Sequence, residues 1–330
     1  MLLPVLAVLL ICMVVIAVCV GKYSVTAGET VSILLRRIFG MEMLSDEMTV
    51  NVVLRLRIPR IIASVLVGAA LSAAGSSYQG IFKNPLVSPD FLGVSSGACI
   101  GAAAAILLGL TSVYVSLLAF LGGLAAVALT VSIPAVLRNR ANIMLVLSGI
   151  IVGSAMSSIL GLLKYVADPD TQLAAITYWT MGSFSYVLPR DLLILAVLVI
   201  PPAVILLLMS WWIDVLSMGE AEARALGANV HLIRTVVILC STLLTAGSVC
   251  VAGTISWVGL IVPHFGRMLA GPSSRRLLPV SLLLGGLFML VVDTLTRVIG
   301  AAEMPVSVMT GIIGAPFFCW LLYRQKGVSE

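Results

Sequence analysis

The chain has 330 residues, of which 61% are hydrophobic and 10% are charged, with a formal net charge of +5 and a mean hydropathy of +1.18. Soluble domains are roughly half apolar and a quarter charged, so this composition excludes an ordinary soluble protein. The lysines and arginines are scattered at the ends of apolar runs, which argues against a nucleic-acid-binding surface.

The apolar runs predict an all-α integral membrane protein with about ten transmembrane helices, because each run is near the roughly 20 residues that a helical span requires. The runs are continuous, whereas strands of a membrane barrel would alternate every second residue. We expect a single polytopic membrane domain over residues 1–330. The runs cover residues 2–21, 58–81, 93–109, 113–137, 142–166, 191–210, 229–250, 257–270, 277–297 and 305–323. The eighth is the shortest and contains Pro263, so a half-helix is the alternative there.

The basic residues predict the orientation. The first run has no basic residue before it and no clear small-residue cleavage site, so we interpret it as a retained span rather than a signal peptide. An even number of spans places both termini on one side, and the positive-inside rule makes that side cytoplasmic, together with the polar segment 213–234. The residues that set this orientation are Arg138, Arg140, Arg275, Arg276, Arg324 and Lys326.

The segment from Lys22 to Arg60 falls on the outer side, although it carries five arginines. Residues 31–39 are expected to form a helix at the membrane interface. Acidic residues of the same segment can offset the positive charge locally; alternatively, some of the arginines meet an acidic partner outside.

Two arginines flank Pro59, which suits the first turn of a helix. Arg57 and Arg60 are three residues apart and therefore share a face. They lie at the positive end of the helix dipole, so an anionic group should compensate them. Lipid phosphate and a protein partner are both open. Near the outer end of the ninth run, Asp293 and Arg297 are four residues apart and are predicted to pair.

Small residues fill the second run between residues 68 and 80. Such residues let helices approach closely in lipid, so the run is interpreted either as ordinary close packing or as the lining of a translocation path. The path candidates are Gly68, Ser72, Gly75, Ser76 and Gln79. The next stretch, residues 83–98, begins with proline, glycine and short polar residues, which predict a structured turn with no room for a helix. Its last residues, 95–98, are small and open the next span.

The polar segment 213–234 is predicted to contain two short helices, Ile213–Met218 and Glu220–Leu226, separated by Gly219 as a C-cap. Glu220 and Arg224 are spaced to pair. Helices of roughly seven residues are unstable alone in water, so they must pack on something. The surface that they pack on is either another protein or loops of the same chain.

Residues 252–267 contain Gly253, Gly259 and Pro263, which interrupt an apolar run. Broken helices at membrane depth require protein or water to cover the freed backbone groups. His264 is interpreted as a packing residue rather than a ligand or switch. The chain lacks a phosphate loop, an H-E-x-x-H motif and a C-x-x-C pair, so no ATP hydrolysis, metal site or redox site is expected.

Together these stretches resemble the FecCD family of ABC importer permeases, which carry ferric siderophores, haem and cobalamin. The resemblance extends from about Arg55 to Phe318. It is carried by the order and spacing of RIPR at 57–60, KNPLVSPDFLGVSSGA at 83–98, GEAEARALG at 219–227, VGLIVPH at 258–264 and EMPVS…GAPFF at 303–318. The residues assigned to these structural motifs are Asn84, Pro85, Pro89, Gly93, Pro263 and His264. Where the family usually has Gly and Phe before VGL, this chain has Ser256 and Trp257.

The resemblance implies a fold like that of the cobalamin importer permease, working as a homodimer or pseudo-dimer around a path on the two-fold axis. It implies two cytoplasmic ATPases, which hold ATP and magnesium, docked on residues 213–227. The residues implied in this coupling are Leu216, Gly219, Glu220, Ala221, Ala223, Arg224, Leu226 and Gly227. It also implies an extracytoplasmic binding protein whose acidic residues dock on Arg57, Arg60 and Arg297.

We therefore predict the transmembrane permease subunit of an ATP-driven importer in the bacterial cytoplasmic membrane, which is not an enzyme and binds no cofactor itself. The expected cargo is an iron chelate, with a ferric siderophore favoured over haem, cobalamin or an oxyanion by family base rate alone. The alternative is a secondary transporter driven by an ion gradient. Such proteins commonly need intramembrane acids or histidines, and here Asp293 is almost alone.

Overall fold

The computed structural model describes residues 2–23, 25–42, 45–138, 142–299 and 302–326. Arg140, one of the orientation residues, lies outside the described residues. Within them the chain is all helical. The helices are α1 Leu2–Cys19, α2 Ala27–Ile38, α3 Glu47–Asn51, α4 Ile58–Ile81, α5 Val94–Leu107, α6 Ser112–Val136, α7 Asn142–Val166, α8 Gln172–Thr180, α9 Pro189–Leu208, α10 Ser210–Met218, α11 Glu220–Ala225, α12 Val230–Ala252, α13 Val258–Ala270, α14 Ser274–Val298 and α15 Val306–Lys326.

The ten predicted spans are confirmed as helices. Seven helices of the described chain are long and apolar enough to cross a membrane, and three shorter apolar helices, α5, α13 and α15, match the remaining predicted runs. One of the seven is continuous from Glu47 to Ile81, because a π-helical turn, Val52–Arg57, joins α3 to α4. The helix predicted near residues 31–39 is present as α2, which the side chains of Thr26 and Glu29 cap, and its place at the membrane interface stays a prediction.

Three helices form the centre of the molecule. Of the most apolar stretch of each helix, the chain itself buries 78% in α4, 72% in α12 and 61% in α14. The corresponding share is at most 28% in α1, α6, α7 and α9. The central helices are therefore those whose small residues allow close packing. The remaining long helices lie around them and expose most of their apolar side chains.

The small-residue run of α4 packs against α14 and α13. A Cβ atom added at Gly68 would lie 2.2 Å from the Gly285 carbonyl oxygen, so the two backbones are in contact. The Ser72 hydroxyl donates to the Ser281 carbonyl at 2.9 Å, and the Ser76 hydroxyl donates to that of Ser281 at 2.8 Å. All these groups are inside the chain. This burial supports close packing over path lining as the interpretation of Gly68, Ser72, Gly75, Ser76 and Gln79.

The two interrupted segments meet beside α4. The predicted turn after α4 is confirmed: Asn84 Oδ1 accepts from the Leu86 amide at 2.9 Å, and Gly93 has a φ of +84°, which favours glycine. Buried Pro89 packs directly on Gly259, near the start of α13. Pro263 is buried within α13. With 13 residues, α13 spans about 20 Å, so the half-helix alternative holds for this run.

Gln79 connects these segments at the end of α4. Its Nε2 donates to the Val87 carbonyl at 3.1 Å and to the Gly259 carbonyl at 3.4 Å. Its Oε1 accepts a hydrogen bond from Arg267 of α13. One buried amide therefore joins α4, the turn and α13.

Candidate functional site

The bundle has two ends, which we call the Arg60 end and the α11 end after the residue and the helix found there. α4 begins at the Arg60 end, and its last turn reaches the α11 end, where Gly80 contacts Ile213 of α10. α14 runs the opposite way, from Ser274 at the α11 end to Asp293 and Arg297 at the Arg60 end. Each of these two helices therefore contributes residues to both ends.

At the Arg60 end, the Arg60 guanidinium lies between two carboxylates. Its Nε donates to Asp293 Oδ1 at 2.8 Å, and its Nη1 donates to Glu303 Oε2 at 2.8 Å. The Asp293 side chain is fully buried, and its Oδ2 is 3.4 Å from Arg297 Nε. The predicted pairing of Asp293 with Arg297 is thus confirmed, but Asp293 also has a second cation that is 233 residues away in sequence.

Arg57 and Arg297 bind the last turn of α1. Arg57 Nη1 donates to the carbonyls of Val18 at 2.5 Å and Cys19 at 3.1 Å, and its Nη2 donates to the Tyr23 carbonyl. Arg297 Nη2 donates to the Ala17 carbonyl at 3.2 Å. Carbonyls at a helix C-terminus carry partial negative charge and favour cations. For Arg57, they supply part of the compensation that the sequence predicted for the arginines beside Pro59.

Gly21 makes room for the Arg57 side chain. A Cβ atom at this position would lie 2.8 Å from Arg57 Nη2, closer than real contacts allow. The glycine therefore leaves space for the guanidinium, which a larger residue would force to shift, and nothing in the sequence indicates this contact.

The arginines border a pocket of about 220 Å³ at this end. Arg57, Arg60 and Arg297 are each less than 9% exposed, but all three line the pocket. The pocket is lined by Gly21, Lys22, Tyr23, Val52, Leu56, Arg57, Arg60, Ser185, Arg297 and Glu303. Their docking role stays a prediction.

Glu303 is the acidic residue of the pocket, and sequence reasoning had given it no role. Its carboxylate accepts hydrogen bonds from Arg60 and from the Ser185 hydroxyl, and its side chain is one-third exposed. Partial burial raises the pKa of Glu303, but the hydrogen bonds from Ser185 and Arg60 outweigh burial and leave this pKa below its usual value. Glu303 is therefore a carboxylate at neutral pH and partly neutralises the arginines.

At the α11 end, the structure confirms two short helices that break at Gly219, whose φ is +156°. α10 is anchored by the buried side chains of Ile213 and Leu216. α11 exposes most of its surface, and only Ala223 is buried in it. The two helices therefore pack on the chain through α10 and present α11 outward.

Glu220 organises the charges of α11. Its carboxylate accepts from Arg224 Nη2 at 3.5 Å, as the spacing predicted, and from Arg234 Nη2 of α12 at 2.5 Å. Glu220, Arg224 and Arg234 line a groove of about 400 Å³ whose apolar wall includes Val131 of α6 and Leu145 of α7. Among the predicted coupling residues, Leu216 and Ala223 are buried, whereas Glu220, Ala221, Arg224, Leu226 and Gly227 are exposed and Gly219 is half-buried.

One face of α7 is exposed although its residues are small or polar. Ser154, Ser157, Ser158 and Gly161 recur at the spacing of one helical face, and all four are exposed. The Ser158 hydroxyl donates to the Ser154 carbonyl within the helix at 3.1 Å. Small and hydroxyl-bearing residues are enriched where membrane helices meet one another, so such a face is expected to meet another protein or water. The sequence had presented this helix as an ordinary apolar span.

His264 is half-buried on α13. Within the described residues, no three histidine, cysteine or acidic side chains are grouped so that they could hold a metal ion.

Comparison with known proteins places these features in context. The model of the FecCD transport family matches residues 9–324. The molybdate import system permease protein MolB of Haemophilus influenzae is 37% identical over 327 residues, covering 98% of this chain and 96% of that protein. The hemin transport system permease protein HmuU of Yersinia pestis is 37% identical over 283 residues, covering 83% of each chain.

A solved structure described as an inward-facing conformation of a metal-chelate type ABC transporter superposes with a TM-score of 0.87. It is 36% identical in sequence, and the match covers 98% of both chains.

Proposed function

The chain belongs to the FecCD transport family of ABC importer permeases, and from this premise we propose that it moves an iron chelate into the cytoplasm at the expense of ATP hydrolysed by a separate subunit. The proposed cargo is a ferric siderophore, delivered by an extracytoplasmic binding protein. The membrane is proposed to be the bacterial cytoplasmic membrane, with the α11 end and both termini in the cytoplasm. Cofactors are proposed to be confined to the ATPase, as ATP and magnesium.

The observation that carries the ATPase proposal is the arrangement of α10 and α11. Helices this short need a packing surface, and α10 has one in the chain whereas the surface of α11 is open. The salt bridges of Glu220 hold the exposed helix in place. An exposed but positioned helix is suited to transmit movement from a docked protein.

The binding protein is proposed to dock at the Arg60 end. The pocket there carries more positive than negative side chains, which favours an acidic partner. Because the three arginines are buried, an incoming carboxylate would have to enter the pocket rather than meet them at a flat surface.

The translocation path is proposed to run between two copies of the chain. The exposed face of Ser154, Ser157, Ser158 and Gly161 supports α7 as a lining helix, because small hydroxyl-bearing groups contact a large chelate without binding it tightly. The small-residue run of α4 is not part of this path, since the chain itself covers it.

The proposal is tested by purifying the chain with its cognate ATPase and reconstituting transport in vesicles with binding protein and ATP. Arg224→Glu should reverse a charge on the exposed face of α11 and reduce both ATPase retention and uptake. Arg190→Glu is the matched control for ATPase retention, because Arg190 is also exposed but lies outside the α10–α11 region. Uphill uptake by the chain alone on a proton or sodium gradient would overturn the proposal. Binding of candidate chelates to the cognate receptor identifies the cargo.

A further inference from the structure

Asp214 joins α10 to the start of α14. Its Oδ1 accepts from the Ser274 amide at 2.6 Å, and its Oδ2 accepts from the Ser273 hydroxyl at 2.8 Å. A carboxylate at a helix N-terminus is favoured by the helix dipole, and hydrogen bonds to an ionised group are strong. A helix is usually capped by a residue next to it in sequence. Here the carboxylate comes from a residue about 60 positions earlier, in the helix that precedes α11.

Further contacts seat α10 across the ends of both central helices. Ile213 is fully buried, and its Cγ2 lies only 2.6 Å from where a Cβ atom on Gly80 of α4 would be. The Arg275 guanidinium of α14 lies 5.8 Å from the centre of the Trp211 ring of α10. α10 is thus bonded to α14 and packed closely on α4.

The α4–α14 pair continues this connection through the molecule. The backbones touch at Gly68 and Gly285, and the Arg60–Asp293 ion pair joins the two helices at the other end. From Ser274 to Asp293, α14 rises by about 29 Å, which is close to the hydrocarbon thickness of a membrane. Close-packed helices have little room to slide independently, so a displacement at one end reaches the other.

We infer that Asp214 is a positioning residue that fixes α10 to α14, so that α10, α4 and α14 move as one body between the docked ATPase and the Arg60 end. This inference rests on the proposed function, because it assumes that an ATPase engages the α10–α11 region. The bonds of Asp214 are the joint through which movement of the ATPase reaches the membrane helices.

The test uses the complete transporter, reconstituted in vesicles with ATPase, binding protein and ATP. Two quantities are measured: the stimulation of ATP hydrolysis by the binding protein, and the number of ATP molecules hydrolysed per cargo molecule imported. In Asp214→Asn, the side chain keeps its size but loses its charge. We expect the stimulation to fall by about fivefold or more, which is the lower range of typical coupling between distant sites. Asp214→Glu should recover part of it.

The matched control is Asp191→Asn. Asp191 also caps a helix, accepting from the Leu188 amide at 2.9 Å, but it caps its own helix, α9. If both variants lower stimulation equally, or if Asp214→Asn only lowers the melting temperature, the carboxylate is a structural cap and the inference is overturned. If the wild-type complex shows no ATP-driven uptake, the proposed function fails first. If wild type and Asp214→Asn couple equally well, only the inference fails.

Discussion

Neutralising Asp293 should destabilise the chain substantially, because this side chain is the buried anion between two buried arginines. In Asp293→Asn the shape is retained and the charge is lost. Two opposite charges about 4 Å apart attract by about 4 kcal/mol at an effective dielectric constant of about 20. Asp293 has two such partners, Arg60 at 2.8 Å and Arg297 at 3.4 Å. Desolvation of the buried carboxylate offsets much of this attraction.

We expect a loss of about 3 kcal/mol in the free energy of unfolding, the lower end of what is seen when a buried pair is broken. The loss is limited because Arg60 keeps Glu303, and Arg297 keeps the carbonyl of Ala17. The measurement is reversible unfolding in mixed micelles by SDS titration. Asp170→Asn, at an exposed position, is the control and should change stability by no more than about 0.5 kcal/mol.

A double variant tests the electrostatic origin of this effect. Asp293→Asn combined with Arg297→Gln should lose less than the sum of the two single variants, because the second change removes a cation that the first left unpaired. A loss below about 1 kcal/mol for Asp293→Asn alone, or strict additivity in the double variant, would refute the reasoning.

Two further predictions concern packing and pH. Gly75→Ala would place a Cβ atom 1.9 Å from a backbone carbonyl oxygen of α13, so we expect a loss of about 1–3 kcal/mol from overpacking in the same SDS titration. Gly161→Ala, with nothing within 4 Å, should instead leave stability unchanged or raise it by up to about 1 kcal/mol, because alanine is favoured over glycine inside a helix. Burial raises the pKa of Glu303, but the hydrogen bonds from Ser185 and Arg60 outweigh burial, so this pKa is lower in the folded than in the unfolded state. The stabilisation that the Glu303 carboxylate gives the fold is therefore present above the unfolded pKa of about 4.3 and is lost as pH falls through the folded pKa. Glu303→Gln should therefore remove part of the fall in melting temperature below about pH 4.3; an unchanged acid limb would contradict this.

The fold was largely predictable because each span carries its own signal. An apolar run of sufficient length needs no information from other parts of the chain. The break at Gly219 and the shortened α13 were likewise visible locally, from a glycine between charged residues and from Pro263.

The contacts between distant segments were not predictable in this way. Asp293 and Arg297 are four residues apart, so their pairing follows from helix geometry, whereas the bond from Arg60 to Asp293 depends on the packing of α4 against α14. The hydrogen bonds of Asp214 could not be predicted from the sequence, because its partners begin a different helix.

Small residues were the ambiguous case. In lipid they mark both close helix contacts and surfaces that face a path, and composition does not separate the two uses. The run of α4 serves packing, as Gly68 against Gly285 shows. The exposed serines of α7, which include Ser154 and Ser158, lie in a run that looked like any other span.

The π-helical turn Val52–Arg57 has a consequence for how the chain can change in length. Such a turn holds one more residue than a regular helical turn. Because the extra residue is absorbed within this one turn, the helical residues on either side keep the relative orientation of an uninterrupted helix. Deleting one residue of the turn would make the helix regular and leave Thr49, whose hydroxyl is 3.1 Å from that of Tyr23, beside its neighbour. Inserting a residue, or deleting one from the α-helical part, would instead rotate one segment by about 100° relative to the other. This helix should therefore tolerate loss of one residue only within the turn.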